Sequence, residues 1–452
     1  MKTLVFFGAT GNLFTHKILP SLGHLLTQDG GDFSIVAIGR RSPNLASYQQ
    51  FLLTLGHKDV SLSPEAFSQL FQRLTYIQSD IKNGDLFLKL APHLEGKEVF
   101  FYLATLPSLY PEVLRQLKRW NQTHPLPKSI ALEKPFGSDE ESFLALEREL
   151  RDLFPEERVF YVDHYLGKST VLSLIILKAE NLFIEKLLSR HYLKEVRIAV
   201  CEEEGVEERA QFYEETGALR DIFQNHLLQL LTLFAIDIPP LCEEDRRECQ
   251  LFQEKVAQEK VRLLEKVRLP RKEEIILGQY QGYREAVGNP SSSTETLIHI
   301  PIYIENARWR GVPFRMFTGK KMAEKRSFIE VIFHSVTPWP NRLVIEIQPE
   351  ERIDFYINVK TPSIELTSVP AKLNFSYFGT FGAKSPQAYQ KIIHDFLHGE
   401  RTLFPNSAFI RRAWQITDAL KRTIERYKIS PHFYPPHTLK GDEVWNRNTF
   451  SS

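Results

Sequence analysis

Cysteine is scarce in this sequence: the 452 residues include three, Cys201, Cys242 and Cys249. No two of them form a C-x-x-C pair, and none lies near a cluster of histidines. The pattern therefore predicts neither a disulfide framework nor a zinc site, and we expect no bound metal. So few thiols fit a reducing compartment, and we expect a cytoplasmic location.

Net charge is almost absent as well. Lysine and arginine together number 57 and aspartate and glutamate 56, which leaves a formal charge of +1. A balanced chain has no overall field that would draw it to nucleic acid or to an anionic membrane. We expect neither partner, and any anion must be bound by a local cluster of basic groups.

Long apolar runs are also missing. The most apolar stretch, residues 227–238, is interrupted by Gln229, Thr232 and Asp237, so it cannot span a bilayer. The apolar start of the chain stops at Gly8, which is too early for the hydrophobic part of a signal peptide. No internal repeat or low-complexity segment occurs. The length predicts two domains, each with its own core.

Up to about residue 165, short strand-like runs alternate with longer helical ones. The predicted strands are Leu4–Phe7, Phe33–Ile38, Leu74–Gln78, Glu98–Leu103, Ile130–Leu132 and Val159–Val162. The predicted helices are Ile18–Thr27, Ser47–Leu55, Asp85–Leu94, Pro111–Asn121 and Glu140–Phe154. This alternation predicts a parallel, doubly wound sheet, so residues 1–165 are expected to form an α/β, Rossmann-like, dinucleotide-binding domain.

Residues 166–452 follow a different pattern. Helices are predicted at Thr170–Glu180, at about Gly217–Ala235, at Ala388–His398 and at Arg411–Tyr427, with a solvated helix pair over residues 239–275. Strands are predicted at Glu195–Val200, Leu297–Ile304, Phe328–Phe333, Leu343–Ile347, Ile353–Val359 and Ala371–Tyr377. Alternating strands combined with helices predict an α+β domain with a large, mainly antiparallel sheet, expected to serve substrate binding and dimerisation.

The first strand-to-helix turn carries two glycines, Gly8 and Gly11, in the pattern G-x-x-G-x-L. Glycine turns after strands are common, but at this place they would let a pyrophosphate approach the N-terminus of the next helix. The second strand ends in Arg40, Arg41 and Ser42. A site that prefers NAD would carry an acid there, whereas arginine suits a 2′-phosphate and therefore NADP.

The stretch 161–168, YVDHYLGK, places a carboxylate, an imidazole, a phenol and an ammonium between a strand and a helix. The unpaired N–H groups at the start of that helix, together with Lys168 and His164, favour a dianion. A surface turn with chance polarity is the alternative. A second candidate is His226, which shares an apolar helical stripe with Ile222 and Leu230; a lone histidine so placed is usually a core residue.

The motif DHYLGK resembles that of glucose-6-phosphate dehydrogenases. Further blocks match the same family in the same order along nearly the whole chain, namely GATGNLFTHKILP, LEKPFG at 132–137, GALRDIFQNHLLQLL and NARWRGVPFRMFTGKKM. The resemblance implies oxidation of D-glucose 6-phosphate at C1 to 6-phospho-D-glucono-1,5-lactone with NADP as the hydride acceptor. That reaction opens the oxidative pentose phosphate route.

The resemblance also implies roles for single residues. His226 would be the general base for the C1 hydroxyl, and Asp163 would orient its ring. Substrate contacts are implied for His164, Tyr165, Lys168, Lys134, Glu202, Asp221, Lys320 and Lys325. Cofactor contacts are implied for Gly8, Thr10, Gly11, Leu13, Lys17, Arg41, Ser42, Pro107 and Lys134. The proline after Lys134, Pro135, matches the family as well, although a proline there would also simply end the strand.

The chain departs from the family pattern at four positions. Asn12 replaces an aspartate, Leu106 a proline near the expected nicotinamide, and Phe317 an arginine. Glu346 stands where animal members have an arginine that binds a second, structural NADP, and a carboxylate should repel that phosphate. We therefore expect the second site to be missing.

Two classes of function remain in view. The first is the NADP-dependent enzyme, or a dehydrogenase of another sugar phosphate, and the family predicts a homodimer or homotetramer. The second is a catalytically silent relative that binds dinucleotide and regulates or assembles a partner. Intact Asp163, His164, Lys168 and His226 argue for the enzyme.

Overall fold

Six strands from the first part of the chain pair in parallel in the computed structural model. They are β1 (Lys2–Phe7), β2 (Phe33–Gly39), β3 (Leu74–Gln78), β4 (Glu98–Leu103), β5 (Lys128–Glu133) and β6 (Val159–Val162). Their order across the sheet is β3-β2-β1-β4-β5-β6. The strands are buried almost throughout, as expected for a parallel sheet with both faces covered. The predicted doubly wound, Rossmann-like sheet is confirmed.

Helices connect these strands. They are α1 (Leu19–Gln28), α2 (Leu45–Gly56), α3 (Pro64–Arg73), α4 (Leu86–Leu94), α5 (Tyr110–Asn121) and α6 (Glu140–Arg151). A π-helical turn, Phe14–Ile18, leads into α1. The sequence prediction missed α3 altogether. Its start is nevertheless well defined, because the side chain of Ser63 accepts a hydrogen bond from Ala66 N at 3.2 Å and Pro64 occupies the first turn.

Ten strands from the rest of the chain form a second sheet. They are β7 (Leu193–Cys201), β8 (Val267–Arg268), β9 (Ile276–Tyr280), β10 (Leu297–Ile304), β11 (Phe314–Gly319), β12 (Arg326–Phe333), β13 (Arg342–Gln348), β14 (Arg352–Lys360), β15 (Ser368–Ser376) and β16 (His432–Tyr434). The order is β15-β14-β13-β12-β7-β11-β10-β9-β16, and β8 pairs with β10. The pairs β7–β11 and β9–β16 are parallel and the others antiparallel, so the predicted mainly antiparallel sheet is confirmed.

The remaining helices are α7 (Ser169–Ala179), α8 (Leu182–Leu187), α9 (Ala210–Ala218), α10 (Leu228–Ala235), α11 (Arg246–Glu265), α12 (Tyr283–Val287), α13 (Tyr377–Phe381), α14 (Ala388–His398) and α15 (Ser407–Arg426). A π-helical segment of nine residues, Leu219–Leu227, joins α9 to α10 and contacts β7 and β11. Every residue of α10 is buried. Among the described residues, no helix combines the length and the apolar character needed to cross a membrane.

Two predicted elements differ from the structure. The helix predicted to start at Gly217 is instead interrupted there, because Gly217 adopts φ 63° and ψ 179°, and helical turns precede it from Ala210. The predicted solvated helix pair over 239–275 contains one helix, α11, among its described residues, followed by the short strand β8. Residues 240–245 of that prediction lie outside the described residues.

The structure describes residues 2–28, 31–42, 44–56, 62–122, 128–239, 246–383, 385–440 and 444–445. The chain divides into two compact units, the first comprising Met1–Gly167 and Pro386–Ser407 and the second Lys168–Ser385 and Ala408–Ser452. Helix α14 thus belongs to the first unit, although the sequence places it within the predicted second domain. Its Phe396 ring lies 5.3 Å from Phe100 and 5.0 Å from Phe160, between ring centroids. Aromatic packing therefore ties this late segment to the first sheet.

Candidate active site

The turn after β1 is built for close backbone approach. Gly8 has φ +94°, and a Cβ atom there would lie 2.4 Å from Ala104 O, so only glycine fits. Gly11 N donates to Gly8 O at 2.9 Å, and the π-helical turn Phe14–Ile18 follows directly. Of the other predicted cofactor residues in this turn, Leu13 and Thr10 are half-buried and Lys17 is exposed. A glycine turn that opens a helix in this way can hold a pyrophosphate.

The two arginines after β2 have different surroundings. Arg40 Nη1 lies 3.5 Å from Asp80 Oδ2, whereas Arg41 forms no ion pair with any residue that the structure describes. A backbone hydrogen bond from Lys82, and next the charge of Arg40, lower the pKa of Asp80. Ser42 is buried, and its N–H donates to Tyr76 Oη at 3.4 Å. Arg41 is therefore the arginine of this pair that keeps its charge available to a ligand.

The loop after β4 carries Pro107, which starts a single 3-10 turn, Pro107–Leu109. Pro107 is half-buried, while Leu106 before it is 69% exposed. This loop leaves the carboxyl end of a central parallel strand, the place at which doubly wound sheets bind ligands.

A buried acid ends β5 directly before the predicted site residue Lys134. Glu133 is 7% exposed and accepts a hydrogen bond of 2.6 Å from Tyr102 Oη, and Tyr389 of α14 hydrogen-bonds the same carboxyl. Burial raises the pKa of Glu133 to about 7. Lys134 is half-buried, and the peptide between Lys134 and Pro135 is cis. Burial thus favours the protonated form of Glu133 up to about neutral pH, while the hydrogen bonds from the two phenols act in the opposite direction.

The turn after β6 holds three predicted site residues. Asp163 is 2% exposed, and its Oδ1 accepts a hydrogen bond of 3.0 Å from Tyr165 N. The half-buried ring of His164 is stacked against Tyr389, with centroids 6.3 Å apart and planes at 10°. A Cβ at Gly167 would lie 2.5 Å from Ala388 O, so glycine is required where α14 meets this turn. Tyr389 therefore contacts both His164 and the carboxyl of Glu133.

Lys168 follows this turn and occupies the N-cap position of α7. The first amide of the helix, Ser169 N, donates to Glu351 Oε1 at 3.1 Å. The Glu351 carboxylate thus already accepts a hydrogen bond from one of the N–H groups that we expect to bind a phosphate. Phosphate binding at this place would therefore depend on the charge of Lys168 and on the remaining amides of the first turn.

His226 and Asp221 lie on the π-helical segment Leu219–Leu227. His226 is 1% exposed, and its N–H donates to Asn225 Oδ1 at 2.6 Å. Asp221 is 6% exposed, with Arg209 Nη2 at 3.7 Å from its Oδ1. π-helices are rare and occur mostly at functional sites, where they place side chains that an α-helix would direct elsewhere. Both residues are buried polar groups on the one π-helical segment of this unit among its described residues.

Glu202 and Lys320 meet because of strand topology. Each directly follows one of the two parallel strands β7 and β11, whose last residues Cys201 and Gly319 are paired in register. Lys320 Nζ consequently lies 2.7 Å from Glu202 Oε2. The Lys320 ammonium also lies 4.9 Å from the centroid of the Tyr213 ring. This is a preorganised pair of charges on an aromatic platform.

The sequence did not single out Tyr213. It is 2% exposed, and its hydroxyl has no hydrogen-bond partner among the described residues. Burial raises its pKa well above the usual value, and the charges of Asp221 and Glu202 add to that effect. Tyr213 thus lies among the residues predicted to read the sugar hydroxyls. Tyr213 lies outside the quoted motifs, before the one that begins at Gly217, so no sequence signal marks it.

Two further predictions concern charge. Lys325, a predicted substrate contact, has its Nζ 2.7 Å from Glu204 Oε1 in a largely exposed pair, so its ammonium already has a carboxylate partner. Glu346 is 1% exposed and accepts two hydrogen bonds from Arg326, at 2.8 and 2.9 Å. Phe317 is fully buried, 5.9 Å from the ring of Trp445. Of these two departures from the family pattern, Glu346 is therefore a carboxylate paired with a cation, and Phe317 is an aromatic core residue.

The chemistry that these groups support is proton transfer and anion binding. A buried imidazole can accept a proton near neutral pH, and a buried carboxylate can stabilise the cation that forms. Lysines at a strand end and at a helix N-terminus can hold a phosphate. The glycine turn and Asp163 belong to the first unit, and His226 and Lys320 belong to the second.

Comparison with known families agrees with this chemistry. A family model described as the NAD binding domain of glucose-6-phosphate dehydrogenase matches residues 5–173. A second model, described as the C-terminal domain of glucose-6-phosphate dehydrogenase, matches residues 175–447.

Individual relatives match over nearly their full length. The glucose-6-phosphate 1-dehydrogenase of Bacillus subtilis is 32% identical over 467 residues, which cover 95% of this chain and 93% of the relative. The enzyme of the same name from Borreliella burgdorferi is 31% identical over 481 residues, or 98% of each chain. A solved glucose-6-phosphate dehydrogenase in complex with its substrate glucose 6-phosphate has a TM-score of 0.87 at 26% identity, and the match covers 100% of this chain and 97% of that one.

Proposed function

This chain belongs to the glucose-6-phosphate dehydrogenase family, and from that premise we propose its reaction: oxidation of D-glucose 6-phosphate at C1 to 6-phospho-D-glucono-1,5-lactone, with NADP as the hydride acceptor. The observation that carries the proposal is the match to both family domains, which together account for residues 5–447 apart from one residue between them. Such a reaction opens the oxidative pentose phosphate route, and a cytoplasmic location suits it.

The proton step is assigned to His226. Oxidation at C1 requires the hydroxyl proton to leave as hydride departs from carbon, and an imidazole is the side chain that accepts protons near neutral pH. Asp163 has the role of orienting the ring and stabilising the imidazolium. Support comes from the burial of each side chain, at 1% exposure for His226 and 2% for Asp163, because a buried polar group needs a defined partner.

The remaining polar residues bind the sugar phosphate. His164, Tyr165 and Lys168 are assigned to the 6-phosphate, because they lie in the stretch of chain that directly precedes α7. Glu202, Asp221, Lys320 and Lys134 are assigned to the ring hydroxyls. Lys325 is assigned a more distant contact with the substrate, because its ammonium already pairs with Glu204. The Glu202–Lys320 pair offers an acceptor and a donor side by side, which is a suitable arrangement for reading hydroxyl groups.

A nicotinamide dinucleotide is the cofactor that the first domain's family model implies, and NADP is our proposal for its identity. Residues that would hold it are Gly8, Thr10, Gly11, Leu13, Lys17, Arg41, Ser42, Pro107 and Lys134. Arg41 is assigned to the 2′-phosphate, because Arg40 is paired with Asp80. The cofactor supplies the acceptor for the hydride from C1.

One cofactor site per subunit is proposed. Glu346 is a carboxylate paired with Arg326, so this position presents no positive charge to a second phosphate. Isothermal titration calorimetry should give a stoichiometry of one NADP per subunit. A second site of high affinity would refute this point without affecting the proposed reaction.

A homodimer or homotetramer is proposed for the assembly. Strand β15 and helix α13 expose apolar side chains, including Leu373 at 56%, Phe378 at 67% and Phe381 at 67%. Exposed apolar surface of this kind is typical of interaction sites. Sedimentation or light scattering will give the number of subunits.

The test of the reaction is the appearance of NADPH absorbance with purified chain, NADP and glucose 6-phosphate. Mannose 6-phosphate, fructose 6-phosphate and free glucose serve as the alternative substrates. Turnover that favours glucose 6-phosphate is the expected result. Turnover with a different hexose phosphate would reassign the substrate, and NADP binding without any turnover would support a catalytically silent relative.

A further inference from the structure

The segment that carries Asp221 and His226 has an unusual start. Its nine residues, Leu219–Leu227, are π-helical, and Gly217 two residues earlier is outside the helical region of backbone space at φ 63° and ψ 179°. The N–H groups just after such a break have no acceptor in the preceding turn. Something else must accept their hydrogen bonds if the segment is to keep one position.

A single residue accepts two of these bonds. Ala218 N donates to the backbone oxygen of Glu295 at 3.0 Å, and Leu219 N donates to Glu295 Oε1, also at 3.0 Å. Glu295 lies two residues before β10 and 76 positions from Leu219 along the chain. Glu295 thus serves as an N-cap from a residue just before a distant strand, and its carboxyl oxygen faces the positive end of the helical segment.

Steric fit adds a separate observation. A Cβ atom on Gly217 would lie 2.4 Å from Glu295 Oε1 and 2.8 Å from its Cδ. The carboxylate therefore occupies the space that any larger side chain at position 217 would need. The left-handed φ of Gly217 and the position of Glu295 depend on one another.

We infer that Glu295 is a positioning residue that fixes the start of the segment Leu219–Leu227 and thereby the places of Asp221 and His226. It touches neither substrate nor cofactor in this role, and its kinetic consequences rest on the proposed function. A small displacement of a catalytic base lowers the reaction rate strongly, because the base must lie within hydrogen-bond distance of the proton that it accepts.

Three variants and a control test the inference. Glu295→Ala removes the acceptor, Glu295→Gln keeps an amide oxygen at the same place, and Gly217→Ala introduces the clash. Glu305→Ala is the control, since Glu305 follows the same strand β10 and pairs on the surface with Arg268 at 2.9 Å.

We expect Glu295→Ala to lower kcat by about 10-fold or more, with a smaller change in the KM for NADP. Glu295→Gln should recover most of kcat, Gly217→Ala should resemble Glu295→Ala, and Glu305→Ala should match the wild type. Equal kcat in the wild type and Glu295→Ala would overturn the inference, as would equal losses in the Gln and Ala variants.

Hydrogen exchange provides a readout that does not depend on activity. The Leu219 amide should be protected in the wild type and in Glu295→Gln, and should exchange faster in Glu295→Ala. If the wild type shows no dehydrogenase activity, the proposed function fails while the cap is still tested by this amide. Unchanged protection of Leu219 in Glu295→Ala would overturn the cap itself.

Discussion

The two units present their candidate residues in different ways. In the first, Gly8, Lys134 and Asp163 each lie just beyond the carboxyl end of a parallel strand, so the sheet itself places them. In the second, Asp221 and His226 lie on a π-helical segment whose start depends on Glu295. The comparison teaches that a strand-end site can be inferred from the neighbouring sequence, whereas a site on an irregular helix depends on residues far along the chain.

The largest expected effect is on kcat, when the proposed base of the second unit is removed. His226→Asn removes the proposed base while it keeps a polar side chain of similar reach, so kcat should fall roughly 10²- to 10⁴-fold. The affinity for NADP, measured by fluorescence titration, should change little. His432→Asn, at an exposed position on β16, is the control. A variant with near-normal turnover would show that His226 is only a buried core residue.

The next largest effect is on the pH dependence of stability, and it comes from Glu133, the buried acid of the first unit. The folded-state pKa of Glu133 is raised from 4.5 to about 7, so the folded protein retains a proton that the unfolded chain loses. The stability that this retained proton contributes to the folded state is fully present below about pH 4.5 and is lost as the pH rises to about 7. The free energy of unfolding should change by about 2 to 3 kcal/mol over this range.

Glu133→Gln should remove this pH dependence, because an amide does not titrate. Urea unfolding of both proteins at about pH 5 and about pH 8 checks the prediction. The same pH dependence in the two proteins would show that Glu133 is ionised throughout. In the second unit the buried acid Glu346 has a cationic partner, Arg326, in place of phenols.

Lys168→Ala tests whether charge at the start of α7 is used for substrate. Loss of a charge-assisted contact should lower kcat/KM for glucose 6-phosphate about 10- to 100-fold. Free glucose, which should already be a poor substrate, offers no charge to the missing ammonium and should be affected little. Lys186→Ala on α8 is the control. Equal losses for the two substrates would refute the phosphate assignment.

The smallest effect concerns the paired arginines of the first unit. Arg41→Asp should raise the KM for NADP about 10-fold and that for NAD much less, since a 2′-phosphate would face a like charge. Arg40→Asp should have a weaker effect, because Arg40 already interacts with Asp80. If the Arg41 variant keeps its NADP kinetics and the Arg40 variant does not, the 2′-phosphate contact belongs to Arg40.

Much of the fold could be predicted from sequence, for a physical reason. Strands buried on both faces are continuous apolar runs, and the predicted strands Leu74–Gln78 and Glu98–Leu103 coincide with β3 and β4. The helix α3 was missed although Ser63 and Pro64 are typical of a helix start. The strand β11 is not predicted, because Arg315, Thr318 and Gly319 interrupt its apolar residues.

The candidate site was less predictable in its supporting residues. Tyr389 and Glu133 are hydrogen-bonded although they lie far apart in sequence, and no local pattern connects them. The same holds for Glu295 and Leu219, whose interaction exists only once β10 has been placed beside the π-helical segment. Tyr213 was hidden because a buried aromatic residue is usually part of a core.

The return of α14 to the first unit has a consequence for synthesis of the protein. A chain emerging from the ribosome makes all six strands of the first sheet before residue 163, but Phe396, which packs on Phe100 and Phe160, appears more than two hundred residues later. During that interval the nascent sheet displays an aromatic surface whose cover has not been translated. Exposed surface of this kind attracts aggregation and chaperones. Stalled chains that end before α14 should therefore be the forms retained by a chaperone, and those that extend past Ser407 should be released.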